Sequence, residues 1–142
     1  MNAHKTAIKR NGLSGPAKYL VQNGLIDCWD LDFGSGHGMD AHILYLDAYD
    51  PYYSPEFPTK KYDTIMCNYV LNVIESPEER QNVIDTIKGL LRPRGVAFLS
   101  VRNDKKNLNG RTKIGTWQGY IELDLPVETK TSNFVMYRLE NK

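Results

Sequence analysis

Residues 31–38 read LDFGSGHG, in which Asp32 stands two positions before three glycines spaced at every second residue. A loop so poor in side chains lets a ligand come close to main-chain N–H groups, and glycine tolerates the positive φ that such a turn requires. Cys28, Trp29, Leu31 and Phe33, interleaved with Asp30 and Asp32, predict a short strand that ends where Gly34, Ser35, Gly36, His37 and Gly38 begin. The chemistry this arrangement favours is the binding of a small molecule.

A second acid comes 16 positions after Gly34. Residues 43–49 form an apolar run that predicts a strand, with Asp50 at its tip and Pro51 forcing the chain out of the sheet. An acid there can accept both hydroxyls of a ribose. Asp47 competes for that role, and Asp50 is preferred because Pro51 places it at the rim. A dinucleotide fingerprint would need glycine at 39, where Met39 stands, so a nicotinamide-binding oxidoreductase is disfavoured.

These side chains need a sheet to hold them. Tyr62, Thr64, Ile65, Met66 and Cys67 predict a buried strand that delivers Asn68 and Tyr69 to the same rim. Ser76, Pro77 and Glu79 read as N-cap, first helical residue and capping-box acid. Val83, Ile84, Ile87, Leu90 and Leu91 give the following helix one apolar face. The segment LLRPRG then turns into a strand over residues 96–101. Near the start, a helix over residues 16–23 ends at Gly24. Towards the carboxyl end, strands over 118–125 and 133–139, joined by 126–132, predict an antiparallel hairpin.

At 142 residues the chain is expected to be one domain with one core. It has neither a membrane-spanning apolar stretch nor a signal-peptide core. Cys28 and Cys67 are expected to be buried thiols on adjacent strands, in a reducing, cytoplasmic setting. His4, His37 and His42 have no ligand-like spacing, so no metal is expected.

The net charge of +1 hides an uneven distribution. Residues 27–58 carry seven acids and no Lys or Arg, whereas residues 92–113 carry seven bases and one acid, Asp104. If the basic run borders the site, Arg102, Lys105, Lys106, Arg111 and Lys113 suggest a polyanionic partner, nucleic acid foremost. A solvated surface loop explains the same lysines.

The GxGxG loop with its preceding acid, Asp50 after the second strand, and the sequence YDTIMCNYVLNVI resemble class I S-adenosylmethionine (SAM) dependent methyltransferases. The resemblance implies a Rossmann-like α/β fold with a mostly parallel sheet of about six strands. It implies SAM as cofactor and S-adenosylhomocysteine as product, held by Asp32, the loop 34–38, Asp50, Pro51, Tyr52 and Asn68. The chain is short between Asp50 and Tyr62, so the third strand of the family is expected to be missing. Tyr52, Tyr53 and Phe57 would then cover the adenine, and the second strand becomes an edge through which two copies can pair.

More narrowly, HKTAIKRNGLSGPAKYL, DFGSGHGMD, YDPYY, YVLNVIESPEER and GTWQGY resemble the methyltransferases associated with DNA phosphorothioation systems, in trimmed form. That implies an enzyme tied to DNA modification. In the family, Asn68 and Tyr69 fall where exocyclic amine methyltransferases place catalytic residues, although the prolines of that motif are missing here. Cys67 resembles the nucleophile of cytosine C5 enzymes, but no proline precedes it and a buried strand-end thiol is the expected reading. A SAM-binding accessory module without catalysis is the alternative.

Overall fold

The computed structural model describes residues 11–104, 109–111 and 116–142, with the side chain of Arg111 excepted. Its chain order begins α1 (Gly15–Gln22), β1 (Leu31–Phe33), α2 (Met39–Leu44), β2 (Asp47–Tyr49) and β3 (Tyr62–Asn68). A 3-10 turn (Leu71–Val73), α3 (Pro77–Gly89) and β4 (Leu91–Arg102) follow. The remainder comprises β5 (Asn109–Arg111), β6 (Trp117–Gly119), β7 (Val127–Lys130) and β8 (Phe134–Glu140). Six strands form one sheet in the order β2-β1-β3-β4-β8-β7, and β5 pairs with β6 separately. The first four of these are parallel. β8 is antiparallel to β4, and β7 to β8.

Side chains alternate across the sheet with a period of two, and this divides the core into two layers. Ile65, Cys67, Ala97, Leu99, Val101, Val135 and Tyr137 pack with Ile87 of α3 and with Leu90, which follows it. Met66, Phe98, Phe134 and Met136 pack on the other face with Ala17 and Leu20 of α1. Burying Leu20 completely contributes about 1.5–3 kcal/mol.

Local signals explain where the helices begin. The Ser76 hydroxyl accepts from the Glu79 amide at 3.2 Å with Pro77 next in line, as the sequence predicts for α3. A cap of this kind is worth about 1 kcal/mol. Ser14 caps α1 by accepting from the Ala17 amide at 3.3 Å, and Asn23 follows the helix. Ser14 also donates to Asp40 twice, from its hydroxyl at 2.7 Å and its amide at 2.8 Å, which ties α1 to α2.

Beyond β2 there is no further strand among the described residues, in keeping with the expected loss of the family's third strand. The edge is covered in part. Asp47 accepts from the Tyr62 hydroxyl at 2.7 Å and pairs with Lys60 at 3.2 Å, while the Phe57 ring stands 5.2 Å from that of Tyr49. Residues 51–61 hold no helix and no strand of the sheet, only an isolated bridge between Asp50 and Ser54.

Several expectations need correction. Ile43 and Leu44 belong to α2, and the strand before Asp50 starts at Asp47, because Tyr45 takes a left-handed conformation (φ 56°) that ends the helix. Leu91 opens β4 instead of closing the helix face: it pairs with Tyr62, and LRPRG forms a bulge before Val96 meets Thr64. The carboxyl-terminal hairpin exists, but its first strand is β7, inside the segment expected to be the connection. β6 pairs instead with β5. Cys28 is exposed, since β1 begins only at Leu31 and the chain before it is turned at Trp29 (φ 68°); Cys67 is buried as expected. No described helix is long and apolar enough to cross a membrane.

Candidate functional site

The carboxyl ends of β1, β2, β3 and β4 open into one cleft of about 900 Å³, within the range of about 300–1,000 Å³ typical of small-molecule sites. From the predicted set it gathers Gly34, Ser35, Gly36, His37, Gly38, Asp50, Pro51, Tyr52, Asn68 and Tyr69. Asp32 does not line it. That carboxylate is 3% exposed within the sheet, and its negative charge acts on Cys67.

Backbone conformation shapes the glycine loop. Gly34 has φ 84°, and a Cβ built there would collide with Val70 Cγ2, so any other residue would be strained in its backbone and would have to displace the Val70 side chain. Gly34 and Ser35 both donate their amides to Tyr49 O, at 2.7 and 3.0 Å, which fastens the loop to β2.

Asp50 completes that fastening. It is 8% exposed, and its carboxylate accepts from the amides of Gly36 (2.9 Å), Tyr52 (2.9 Å) and Tyr53 (3.0 Å). The predicted ribose acceptor therefore also serves as the clip between the glycine loop and the turn after β2. With about four lone-pair positions on a carboxylate, room for a further donor remains.

Aromatic rings gather at this end. His37 lies 4.4 Å from Tyr53, Tyr52 4.8 Å from Tyr53, and Phe33 5.0 Å from Tyr49, all between ring centroids. Tyr52 and Phe57 line the cleft, while Tyr53 backs His37 from outside it.

At the other end Tyr69 holds φ 62°, an uncommon value for a residue with a Cβ, and donates its amide to Ser100 O at 2.8 Å. Strain of this kind concentrates at functional sites. Among the described residues, three buried polar atoms on the cleft wall have no hydrogen-bond partner: Ser35 Oγ, Asn68 Oδ1 and Asn72 Oδ1. Arg102 reaches the rim, but its guanidinium is engaged by Asp104 through two bonds of 2.8 and 2.7 Å. Lys105, Lys106 and Lys113 lie outside the described residues, as does the side chain of Arg111.

Cys67 is no nucleophile in this setting. Burial, and secondarily the charge of Asp32, push its thiol far above the ordinary range, so it stays protonated. Among the described residues no group of three or more His, Cys, Asp or Glu is arranged to hold a metal ion.

Sequence reasoning missed Asn72 and Gln118. Both line the cleft, and the Asn72 amide donates to Gln118 Oε1 at 3.1 Å. They lie 46 positions apart, and Asn72 sits in an apolar stretch that reads as core.

A family model described as a methyltransferase domain matches residues 30–122. No curated protein matches the sequence. Among solved structures, the N-methyltransferase NodS of Bradyrhizobium japonicum WM9 with S-adenosylhomocysteine is similar at TM-score 0.58 and 13% identity, over 89% of this chain and 85% of that one. The 1,6-didemethyltoxoflavin-N1-methyltransferase of Burkholderia thailandensis, with 1,6-didemethyltoxoflavin and S-adenosylhomocysteine bound, gives 0.63 and 16% over 89% and 77%. DhpI, solved with S-adenosylhomocysteine, gives 0.57 and 13% over 87% and 81%. At these identities the likeness is one of fold.

Proposed function

The chain belongs to the methyltransferase-domain family, and from that premise we propose that it transfers a methyl group from SAM to a small polar acceptor. The observation that carries this reading is the cleft itself, which has a glycine loop clipped to Asp50 at one end and unpartnered amide oxygens of Asn68 and Asn72 elsewhere on its wall. The residues suit the cofactor. Gly34, Ser35, Gly36, His37 and Gly38 would hold its methionine part, Asp50 with Pro51 its ribose, and Tyr52 with Phe57 its adenine. Asp32 is buried in the sheet and lies off the cleft wall.

SAM supplies an electrophilic methyl group on a sulfonium, so the protein's share of the work is alignment and desolvation. Asn68 Oδ1 offers an acceptor for an N–H or O–H of the incoming nucleophile. Tyr69, whose backbone is held by its amide bond to Ser100, follows Asn68 in sequence and also lines the cleft. Among the similar solved structures, the Burkholderia enzyme with 1,6-didemethyltoxoflavin bound supports this class of acceptor.

A nucleic-acid acceptor is the second reading, and the seven bases of residues 92–113 favour it. Against it, Arg102 is the cation of the proposed patch whose side chain is described, and it is neutralised by Asp104. The tie to DNA phosphorothioation systems rests on sequence resemblance alone, and pairing of two copies through β2 on the edge itself.

Calorimetry with SAM, S-adenosylhomocysteine and NAD tests the cofactor: the first two should bind and NAD should not. Transfer of labelled methyl groups to small amines and phenols, and to DNA, tests the acceptor. Binding without any transfer would establish the accessory-module reading instead. DNA affinity that falls as salt rises, together with labelled DNA, would establish the second.

A further inference from the structure

Asn72 is 2% exposed, lies in the 3-10 turn, and lines the cleft. One half of its amide is spoken for, since Nδ2 donates to Gln118 Oε1 at 3.1 Å. The other half is not: Oδ1 is buried and accepts nothing. A buried acceptor left without a donor is costly, and a ligand donor would recover that cost.

The orientation of this amide is held from outside the main sheet. Gln118 belongs to β6, which packs on the 3-10 turn. Arg80 braces the same junction, donating to Ile74 O at 2.5 Å and Glu75 O at 3.0 Å while its guanidinium stands 5.9 Å from the Trp117 ring centroid. The cleft lining carries Val70, Val73, Ile74 and Val83 together with the neutral polar side chains of Asn82 and Thr86. Arg102 is the Lys or Arg among the described lining residues, and it is committed to Asp104. Such a wall suits a neutral or cationic molecule better than an anion.

We infer that Asn72 selects the methyl acceptor: its Oδ1 takes a hydrogen bond from an N–H or O–H group on a small molecule with an apolar body, and Gln118 fixes the amide so that this oxygen is offered. This rests on the reading of the cleft as the site of methyl transfer. A side chain that merely closes β6 onto the turn would show no preference among ligands.

The test uses aniline, phenol and toluene as probes of similar size, titrated into 15N-labelled protein with and without S-adenosylhomocysteine. Aniline and phenol should bind about fivefold or more tighter than toluene, the scale of one hydrogen bond, and should shift the side-chain amide resonances of Asn72. In Asn72→Leu that preference should vanish while S-adenosylhomocysteine affinity by calorimetry stays within about twofold, the scatter expected when no contact is lost. Gln118→Leu, at a half-buried position, should weaken the preference with Asn72 still present, which keeps the test decisive if Asn72→Leu fails to fold. Equal binding of toluene by the native protein, or an undiminished preference in both variants, overturns the inference. Failure of S-adenosylhomocysteine to bind would overturn the cofactor reading alone, because the probe preference is also measured without it.

Discussion

The amide of Gly36 donates to Asp50 Oδ2 at 2.9 Å, joining the glycine loop after β1 to the tip of β2. Asp50→Asn keeps one carbonyl oxygen for the Tyr52 and Tyr53 amides but turns an NH2 group towards Gly36 N–H. S-adenosylhomocysteine affinity should fall about tenfold or more, and folding stability by about 1–3 kcal/mol, as expected when buried donors lose a charged acceptor. Calorimetry and urea unfolding check the two effects. A variant with lower affinity and native stability would mean that Asp50 acts on the ligand alone.

Gly34→Ala should cost at least about 2 kcal/mol, part from the left-handed backbone and part from overlap with Val70 Cγ2. Adding Val70→Ala should restore only the steric part. Complete recovery in the double variant would show that φ at 34 is unimportant.

Tyr69 stores strain that its replacement can release. Tyr69→Gly should be more stable than Tyr69→Ala by about 1 kcal/mol, because glycine adopts φ 62° without a Cβ penalty. Both should lose methyl transfer. Equal unfolding midpoints for the two would remove strain from the account, and retained turnover would remove the ring.

Asp30 makes stability depend on pH. Burial, followed by the negative charges of Asp27 and Asp63, raises its carboxyl to about 6. A folded value above the unfolded one, about 3.9, means that the fold binds the proton more tightly. The stabilisation is thus complete below about pH 4, fades as pH rises to about 6, and is absent above. Asp30→Asn should flatten that decline and raise stability at pH 7 by about 1 kcal/mol, after allowance for its partial exposure to solvent. Denaturant titrations from pH 4 to pH 7.5 measure it, and parallel profiles for the two proteins would exclude the effect.

Signals confined to a few neighbouring residues were legible in the sequence. The glycine loop, the Ser76 cap with Pro77, the buried run of β3 and the missing third strand all depend on local chemistry or on chain length. Where tertiary pairing decided, the sequence misled. The apolar run at 43–49 is divided between helix and strand by the turn at Tyr45, and Val127–Lys130 is a strand because β8 pairs with it. Within the site, the loop and the rim residues were readable from spacing. Asn72 was not, since its meaning comes from Gln118 46 positions away.

Residues 51–61, which stand where a helix, strand and helix are expected in larger relatives, attach to the sheet through the Asp50–Ser54 bridge, the Tyr52 and Tyr53 amides on the Asp50 carboxylate, the Lys60–Asp47 ion pair and ring contacts. Detaching them breaks no pairing in the six-stranded sheet. Their amide protons will therefore exchange through a local opening that costs less than global unfolding. The part of the cleft wall formed by Tyr52 and Phe57 can therefore loosen while the six strands stay paired.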